Sequence, residues 1–265
     1  MVEIEKVGLV GEERIINIGS LSPVYSLEKE RIIEVAEKFS LFGFRSIPIV
    51  DKNKKLVGIV TITDILNAFL KNENFFKEIS SIMTREVIFV ESSETIRIVL
   101  NKMKISKRGR LPIVEGKNKL VGVISETDFL RKASNFSVFE NIKIEDVMIR
   151  KPFCIFPKNT ILDVIKIIVN TKYRRLPVVE DGNLVGYITS TKLFSKLFEN
   201  KFSVDFVKKP IADIMTRNPI VVQPTESLSN VLKLMNEKKI SSMLIVKEGR
   251  IEGIFTERDY INLLE

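Results

Sequence analysis

Gly58-Ile59-Val60-Thr61-Ile62-Thr63-Asp64 is an apolar strand end, two hydroxyls, and a carboxylate where a helix should begin. The pattern returns as Gly122-Val123-Ile124-Ser125-Glu126-Thr127-Asp128 and as Gly253-Ile254-Phe255-Thr256-Glu257-Arg258-Asp259. A fourth copy, Gly186-Tyr187-Ile188-Thr189-Ser190-Thr191-Lys192, keeps the hydroxyls and loses the carboxylate. The glycines stand at 58, 122, 186 and 253, so the steps are 64, 64 and 67 residues. One heptapeptide says little. Four copies at nearly constant spacing mark an internal repeat.

Working outward, each copy sits at the same place in a larger unit. A helix precedes it, with apolar residues at i, i+3, i+4 and i+7: Ile32, Val35, Ala36 and Phe39 in the first unit. The same spacing returns as Ile96, Val99, Leu100, Met103, as Ile161, Val164, Ile165, Ile168, and as Leu228, Val231, Leu232, Met235. Ser93, Asn159 and Thr225 are the expected N-caps of the last three helices. Two short apolar runs around a polar turn follow and read as a hairpin. In the third unit the turn is Glu180-Asp181-Gly182-Asn183, where Gly182 suits a positive φ. A second helix closes each unit. The expected repeats are 18–70, 79–133, 144–198 and 211–264, preceded by a mixed apolar and acidic lead-in, 1–17. The fold class is α/β, α+β mixed. Units of this size make a poor core alone, so they should pair through their sheets. The polar stretches 71–77, 132–143 and 199–209 read as separators. The middle one divides two expected modules, 1–138 and 139–265.

Composition narrows the function. The chain has 265 residues, 45% hydrophobic, with 42 Lys and Arg against 34 Asp and Glu, for a net charge of +8. That balance favours a partner rich in negative charge, or else a solvated Lys/Glu surface. There is no histidine, which removes the usual general base and the commonest metal ligand. The single cysteine, Cys154, lies in an apolar run and reads as a buried thiol. No catalytic and no metal residues are assigned. The N-terminus carries early charges and no apolar run reaches 18 residues, so a cytoplasmic protein is expected.

These units resemble CBS domains. The openings Ile82-Met83-Thr84-Arg85, Val147-Met148-Ile149-Arg150 and Ile214-Met215-Thr216-Arg217 carry the resemblance, with the Leu-Pro-hydrophobic strand and the hydroxyl-carboxylate element. Four repeats in one chain are similar to the γ subunit of AMP-activated protein kinase and its stand-alone archaeal relatives. The resemblance implies two Bateman modules in a disc-like arrangement, with adenosine ligands held in clefts between repeats.

A ribose presents two adjacent hydroxyls, and a carboxylate can accept from both. Asp64, Asp128 and Asp259 are the expected ribose residues. Thr61, Thr63, Ser125, Thr127, Thr189 and Thr256 are expected to reach phosphate or ribose oxygens. The competing reading is a helix cap, which needs no ligand. By the resemblance, residues two and three before the strand proline position reach phosphate. Those include Arg45, Arg110, Arg174 and Arg175, whereas repeat four has Ser241 and Ser242 there. Arg258 is a further phosphate candidate or an ion-pair partner of Asp259. Ser22, Lys151 and Asn218 fall on the adenine side implied by the resemblance. Lys192 cannot accept from a ribose, so repeat three is expected to be empty or to bind something else, or Lys192 pairs with phosphate from a neighbouring site.

The function expected is a regulatory adenine-nucleotide sensor taking AMP, ADP or ATP, an energy-sensing role by resemblance. Its partner would be a kinase, a transporter or a biosynthetic enzyme, and a homodimer is an option. One alternative is S-adenosylmethionine or a related thioether. Another is a basic nucleic-acid-binding or scaffold protein, ranked lowest because no zinc finger, Gly-rich RNA motif or recognition helix is present. Catalysis is not expected, since no base or converging carboxylate set accompanies the element.

Overall fold

A computed structural model describes residues 1–265. Repeat one contains β1 (Ser26–Leu27), α1 (Ile32–Phe42), β2 (Ser46–Val50), β3 (Leu56–Thr61) and α2 (Ile62–Leu70). Repeat two contains β4 (Val90–Glu91), α3 (Ile96–Ser106), β5 (Arg110–Glu115), β6 (Lys119–Ser125) and α4 (Glu126–Lys132). A short helix α5 (Ile144–Val147) and strand β7 (Ile149–Arg150) lead to repeat three: α6 (Ile161–Thr171), β8 (Arg175–Glu180), β9 (Asn183–Thr189) and α7 (Ser190–Glu199). After α8 (Val204–Val207), repeat four contains β10 (Val221–Val222), α9 (Leu228–Glu237), β11 (Ser242–Lys247), β12 (Arg250–Thr256) and α10 (Glu257–Leu263). No helix is long and apolar enough to cross a membrane.

The mixed α/β class expected from the repeats is what forms. The first helix of a repeat acts as a crossover, so the short strand before it pairs parallel with the strand after it: β1 with β2, β4 with β5, β10 with β11. In repeat three a single parallel bridge, Ile155 to Val178, does the same job. Each hairpin is antiparallel and shifts register at one point, between Ile49 and Val50, Ile113 and Val114, Val178 and Val179, Ile245 and Val246. A bulge there bends the pair toward its helices. Asp181 and Gly182 take φ of 49° and 82°, the two-residue turn that the Asp-Gly pair favours. The four predicted apolar faces are buried throughout.

Contacts divide the chain into two compact units. One unit is Met1–Pro23, Ile88–Pro152 and Ile220–Glu265; the other is Val24–Val87 and Phe153–Pro219. Each therefore joins the body of one repeat from each half. Within a unit the repeat bodies meet through helices: α1 with α7 and α2 with α6 in one, α4 with α10 and α3 with α10 in the other. The reason is that both helices of a repeat are apolar on the shared side, as in the edge-on contact of Phe39 with Phe194 at 5.9 Å.

The expected linker at 132–143 is core. Ala133, Phe136 and Phe139 are buried, and both rings pack edge-on to Tyr260. The boundary 138/139 falls inside a single turn, Ser137–Phe139. The lead-in is core too, through Ile4, Val7, Leu9 and Ile15. These segments also cap helices. The first N–H of α1, α3, α6 and α9 donates to the carbonyl of Lys77 (2.9 Å), Glu13 (2.9 Å), Lys209 (2.9 Å) and Ile142 (2.7 Å). The N-cap residues are consequently Thr95, Thr160 and Ser227, one or two positions later than Ser93, Asn159 and Thr225. Asn159 instead accepts from the Phe156 N–H at 2.7 Å.

The repeat openings cross over to a neighbouring hairpin. Thr84 pairs with Ile59, Ser20 with Val123, and Thr216 with Tyr187, while β7 pairs with β12. The opening methionines lie on the signature glycines: Met83 on Gly58, Met215 on Gly186, Met148 on Gly253. A side chain at these glycines would collide with the methionine sulfur. Gly253→Val is expected to destabilise the protein by about 1–3 kcal/mol by overpacking, read from urea unfolding. Tyr260 is fully buried and its hydroxyl has no hydrogen-bond partner. Tyr260→Phe is expected to raise stability by about 1 kcal/mol, because it removes an unsatisfied buried group.

Candidate functional site

The signature element is a helix start built the same way in three repeats. The Thr61 N–H and hydroxyl both donate to Oδ2 of Asp64 at 2.7 Å, and the Asp64 N–H returns a bond to the Thr61 hydroxyl at 3.3 Å. Ser125 donates likewise to Asp128 at 2.7 and 2.7 Å, and Thr256 to Asp259 at 2.8 and 2.7 Å. These are reciprocal caps, so the bland reading of the element is correct as far as it goes. It uses one oxygen of the carboxylate. Oδ1 of Asp64 and of Asp128 takes no hydrogen bond from the protein. The cap thus fixes the carboxylate and leaves it an acceptor face. A box alone does not make a site. Thr160 and Asp163 form one at the start of α6, where the bonds from Thr160 hold the Asp163 carboxyl below its ordinary range.

What distinguishes the signature boxes is the strand beside them. Ser46, Arg110, Arg175 and Ser242 open their strands directly opposite Thr61, Ser125, Thr189 and Thr256. Directly opposed side chains share a face about 5 Å apart. The residue before each, Arg45, Gly109, Arg174 or Ser241, accepts from the first N–H of the second helix at 3.2, 3.0, 2.9 and 3.2 Å. The phosphate candidates Arg45, Arg110, Arg174 and Arg175 are all half-buried at this corner. Repeat four has serines in both positions.

Two expected ligand residues are committed elsewhere. Arg258 Nε pairs with the Glu126 carboxylate at 2.5 Å, and Arg258 Nη1 donates to the Lys107 carbonyl at 2.7 Å. It therefore binds neither Asp259 nor an open solvent face. The Thr127 hydroxyl donates to Glu257 at 2.7 Å. Glu126 and Glu257 are 3% and 1% exposed. The starts of α4 and α10 are thus cross-braced by two buried carboxylates. Sequence reading passed over both. The signal was present in Gly109, whose missing side chain makes room for Glu126.

Thr63 is half-buried one residue before Asp64. Thr189 accepts from the Lys192 N–H at 3.1 Å, and its hydroxyl lies 2.9 Å from that of Thr191. The Lys192 ammonium donates to the Thr216 hydroxyl at 2.9 Å. Within the units, Ser22, Lys151 and Asn218 do not join the boxes. The antiparallel pairing of Ser20 with Val123 carries Ser22 away from Ser125. Lys151 bonds through its N–H to Glu252 at 3.2 Å, and the pairing of Thr216 with Tyr187 carries Asn218 away from Thr189. Cys154, expected to be buried, is only partly so, and desolvation pushes its thiol up.

A chain of four strand-helix-hairpin-helix repeats, each with a capped second helix at the hairpin's end, is a tandem-repeat protein in architecture. The CBS domain model matches residues 13–71, 79–135, 144–199 and 211–265, and the chain belongs to the CBS-domain family. Protein MJ1225 of Methanocaldococcus jannaschii is 29% identical over 245 residues, covering 82% of this chain and 86% of that protein. The crystal structure of MJ1225 is described as that of a candidate archaeal homolog of g-AMPK. It matches with a TM-score of 0.85 and 26% identity over 95% of this chain and 99% of that one. A conserved protein of Pyrococcus horikoshii shares the fold at a TM-score of 0.63 and 24% identity, over 95% and 99% of the two chains.

The brace makes a stability prediction in the absence of any ligand. Arg258→Ala leaves Glu126 buried and unpaired and is expected to cost about 3–5 kcal/mol in urea unfolding. Adding Glu126→Gln should recover a large part of the loss. An Arg258 that waits for phosphate would give an unchanged midpoint.

Proposed function

We propose that the chain is a regulatory adenine-nucleotide-binding protein that takes AMP, ADP or ATP and passes its occupancy to a partner. The observation that carries this reading is the cap-fixed carboxylate with an oxygen to spare, in a repeat whose neighbouring strand has an arginine at its opening (Arg110) or just before it (Arg45). Asp64 and Asp128 supply an acceptor for the ribose diol. Arg45 and Arg110, on the same corners, supply a forked donor for phosphate. In repeat four Ser241 and Ser242 stand where the other repeats have at least one arginine, and Arg258 is engaged by Glu126. Repeat four therefore suits the nucleoside part of a ligand more than its phosphates. The likeness to MJ1225 over nearly the whole chain supports a sensor over a catalyst. S-adenosylmethionine is the second reading, because it carries the same ribose, but nothing at the arginine corners suits a sulfonium.

Titration calorimetry on ligand-stripped protein separates these. AMP or ATP is expected to bind, more weakly as salt rises, because phosphate attraction is screened. Asp128→Ala should weaken binding at its site by about 10–100-fold, from loss of one charged acceptor. Unaltered binding after removal of Asp64, Asp128 and Asp259 together would defeat the assignment. Tight, salt-insensitive binding of S-adenosylmethionine alone would favour the second reading.

A further inference from the structure

The first helices of the four repeats occupy the same place in similar units, so each is a control on what the others need. On α3 the buried stripe is Ile96, Val99, Leu100 and Met103. The opposite face carries Ile98, Asn101 and Ile105, at i, i+3 and i+7. Ile98 is 50% exposed and Ile105 is 84% exposed. At the position of Ile98 the other first helices have Glu34, Asp163 and Asn230, and at that of Ile105 they have Leu41, Asn170 and Glu237. The fold therefore accepts polar residues at both places, and only α3 is apolar at both. A single exposed isoleucine is ordinary, but two on one helix face, with an amide between them, make a short seam. The two ends of that seam carry opposite charge. At its start the lead-in is tied to α3, since the Ile96 N–H donates to the Glu13 carbonyl at 2.9 Å and the Arg97 N–H to the Gly11 carbonyl at 3.2 Å. Glu5 and Glu12 thereby stand 2.5 and 3.9 Å from Arg97, two acids for one cation, and the Glu12 side chain stays 82% exposed. Glu94 and Lys102 pair with each other at 2.8 Å and cancel. Lys104 is spent on the Leu264 carbonyl. Past the end of α3, Lys107 and Arg108 are exposed and give the positive end.

From the spacing and the charges we infer that this face of α3 is the seam of a two-fold contact with a second copy of the chain, the two α3 helices running antiparallel. The midpoint of Ile98 and Ile105 falls between Asn101 and Lys102. A two-fold axis there sets Ile98 of each copy on the other copy's Ile105, so the apolar pair is self-complementary. It also lays the Lys107 and Arg108 end of each copy against the Glu5 and Glu12 end of the other. A parallel arrangement would set like charges together, and an acidic peptide would match the basic end alone. The 11 residues of α3 span about 16 Å, so the contact belongs to the small, reversible class of interface. It uses no residue of the signature boxes and stands independently of the nucleotide reading.

The test is sedimentation velocity of the full, ligand-stripped chain from micromolar to near-millimolar concentration. The parent is expected to pass from monomer to dimer. Ile98→Ser with Ile105→Ser should weaken the dimer by about tenfold or more, because the two-fold axis repeats each loss. A charge exchange tests the antiparallel arrangement. Glu12→Lys in one variant, and Lys107→Glu with Arg108→Glu in another, should each weaken self-association by setting like charges at both ends of the seam. An equimolar mixture of the two should dimerise at least as well as the parent, since the mixed dimer has opposite charges at both ends again. Thermal melts of every variant confirm folding. A face made for an acidic partner of another kind would leave the chain monomeric at all concentrations. That result, a dimer unchanged by the two serines, or a mixture that associates no better than its two components overturns the inference.

Discussion

Three of the four repeats build the start of their second helix on a pair of short bonds from one residue to one carboxylate oxygen. Thr61, Ser125 and Thr256 each give their N–H and their hydroxyl to the aspartate three positions on. The cap satisfies a helix start, and the same bonds stop the carboxylate from rotating. Stability and binding are therefore not rival explanations of one residue. The oxygen that caps is not the oxygen that would meet a ribose. Where lysine replaces the aspartate, Thr189 still caps through the main chain, and the corner changes from acceptor to donor without a change in fold.

The repeats hold one another by exchanging parts. An opening segment from one repeat lies on the hairpin of another, methionine against glycine, and the stretches between repeats supply the carbonyls that cap first helices. A repeat excised with its own opening would lack both the strand that completes its sheet and the cap of its first helix. The helix contacts then differ between the two units. In one, α1 and α7 meet through apolar side chains, with Phe39 against Phe194. In the other, the starts of α4 and α10 meet through Glu126, Arg258, Thr127 and Glu257. Buried charge at a contact of this kind tolerates little sliding, since displacement leaves a carboxylate unpaired.

Much of this was legible in the sequence. Period-3.6 apolar faces and period-2 hairpins located the helices and strands because local burial decides them. The Asp-Gly turn at 181–182 was readable because few other residues accept two positive φ values in succession. The box was readable because it is local, spanning three residues. What failed was everything decided by contacts far apart in the chain. The stretch 132–143 looked polar, yet three of its residues enter a core whose other wall is Tyr260. The first-helix caps were misplaced by one or two residues: Thr160 and Ser227 cap through their own hydroxyls, while the first N–H of each helix goes to a main-chain carbonyl of another segment, which leaves no trace in a sequence. Arg258 looked like a phosphate ligand because its partner, Glu126, lies 132 residues away.

The central claim is that the cap-fixed aspartates accept the ribose hydroxyls of an adenine nucleotide. The most direct measurement is the affinity of AMP against 2′,3′-dideoxy-AMP, in the parent protein and in the triple variant Asp64→Asn, Asp128→Asn, Asp259→Asn. Asparagine keeps an acceptor for the cap and loses the charge. The account predicts that removing the two hydroxyls weakens binding to the parent by about tenfold or more, and that the triple variant scarcely distinguishes the two ligands. Equal affinity of the parent for both nucleotides would contradict it, and would leave the aspartates as caps alone.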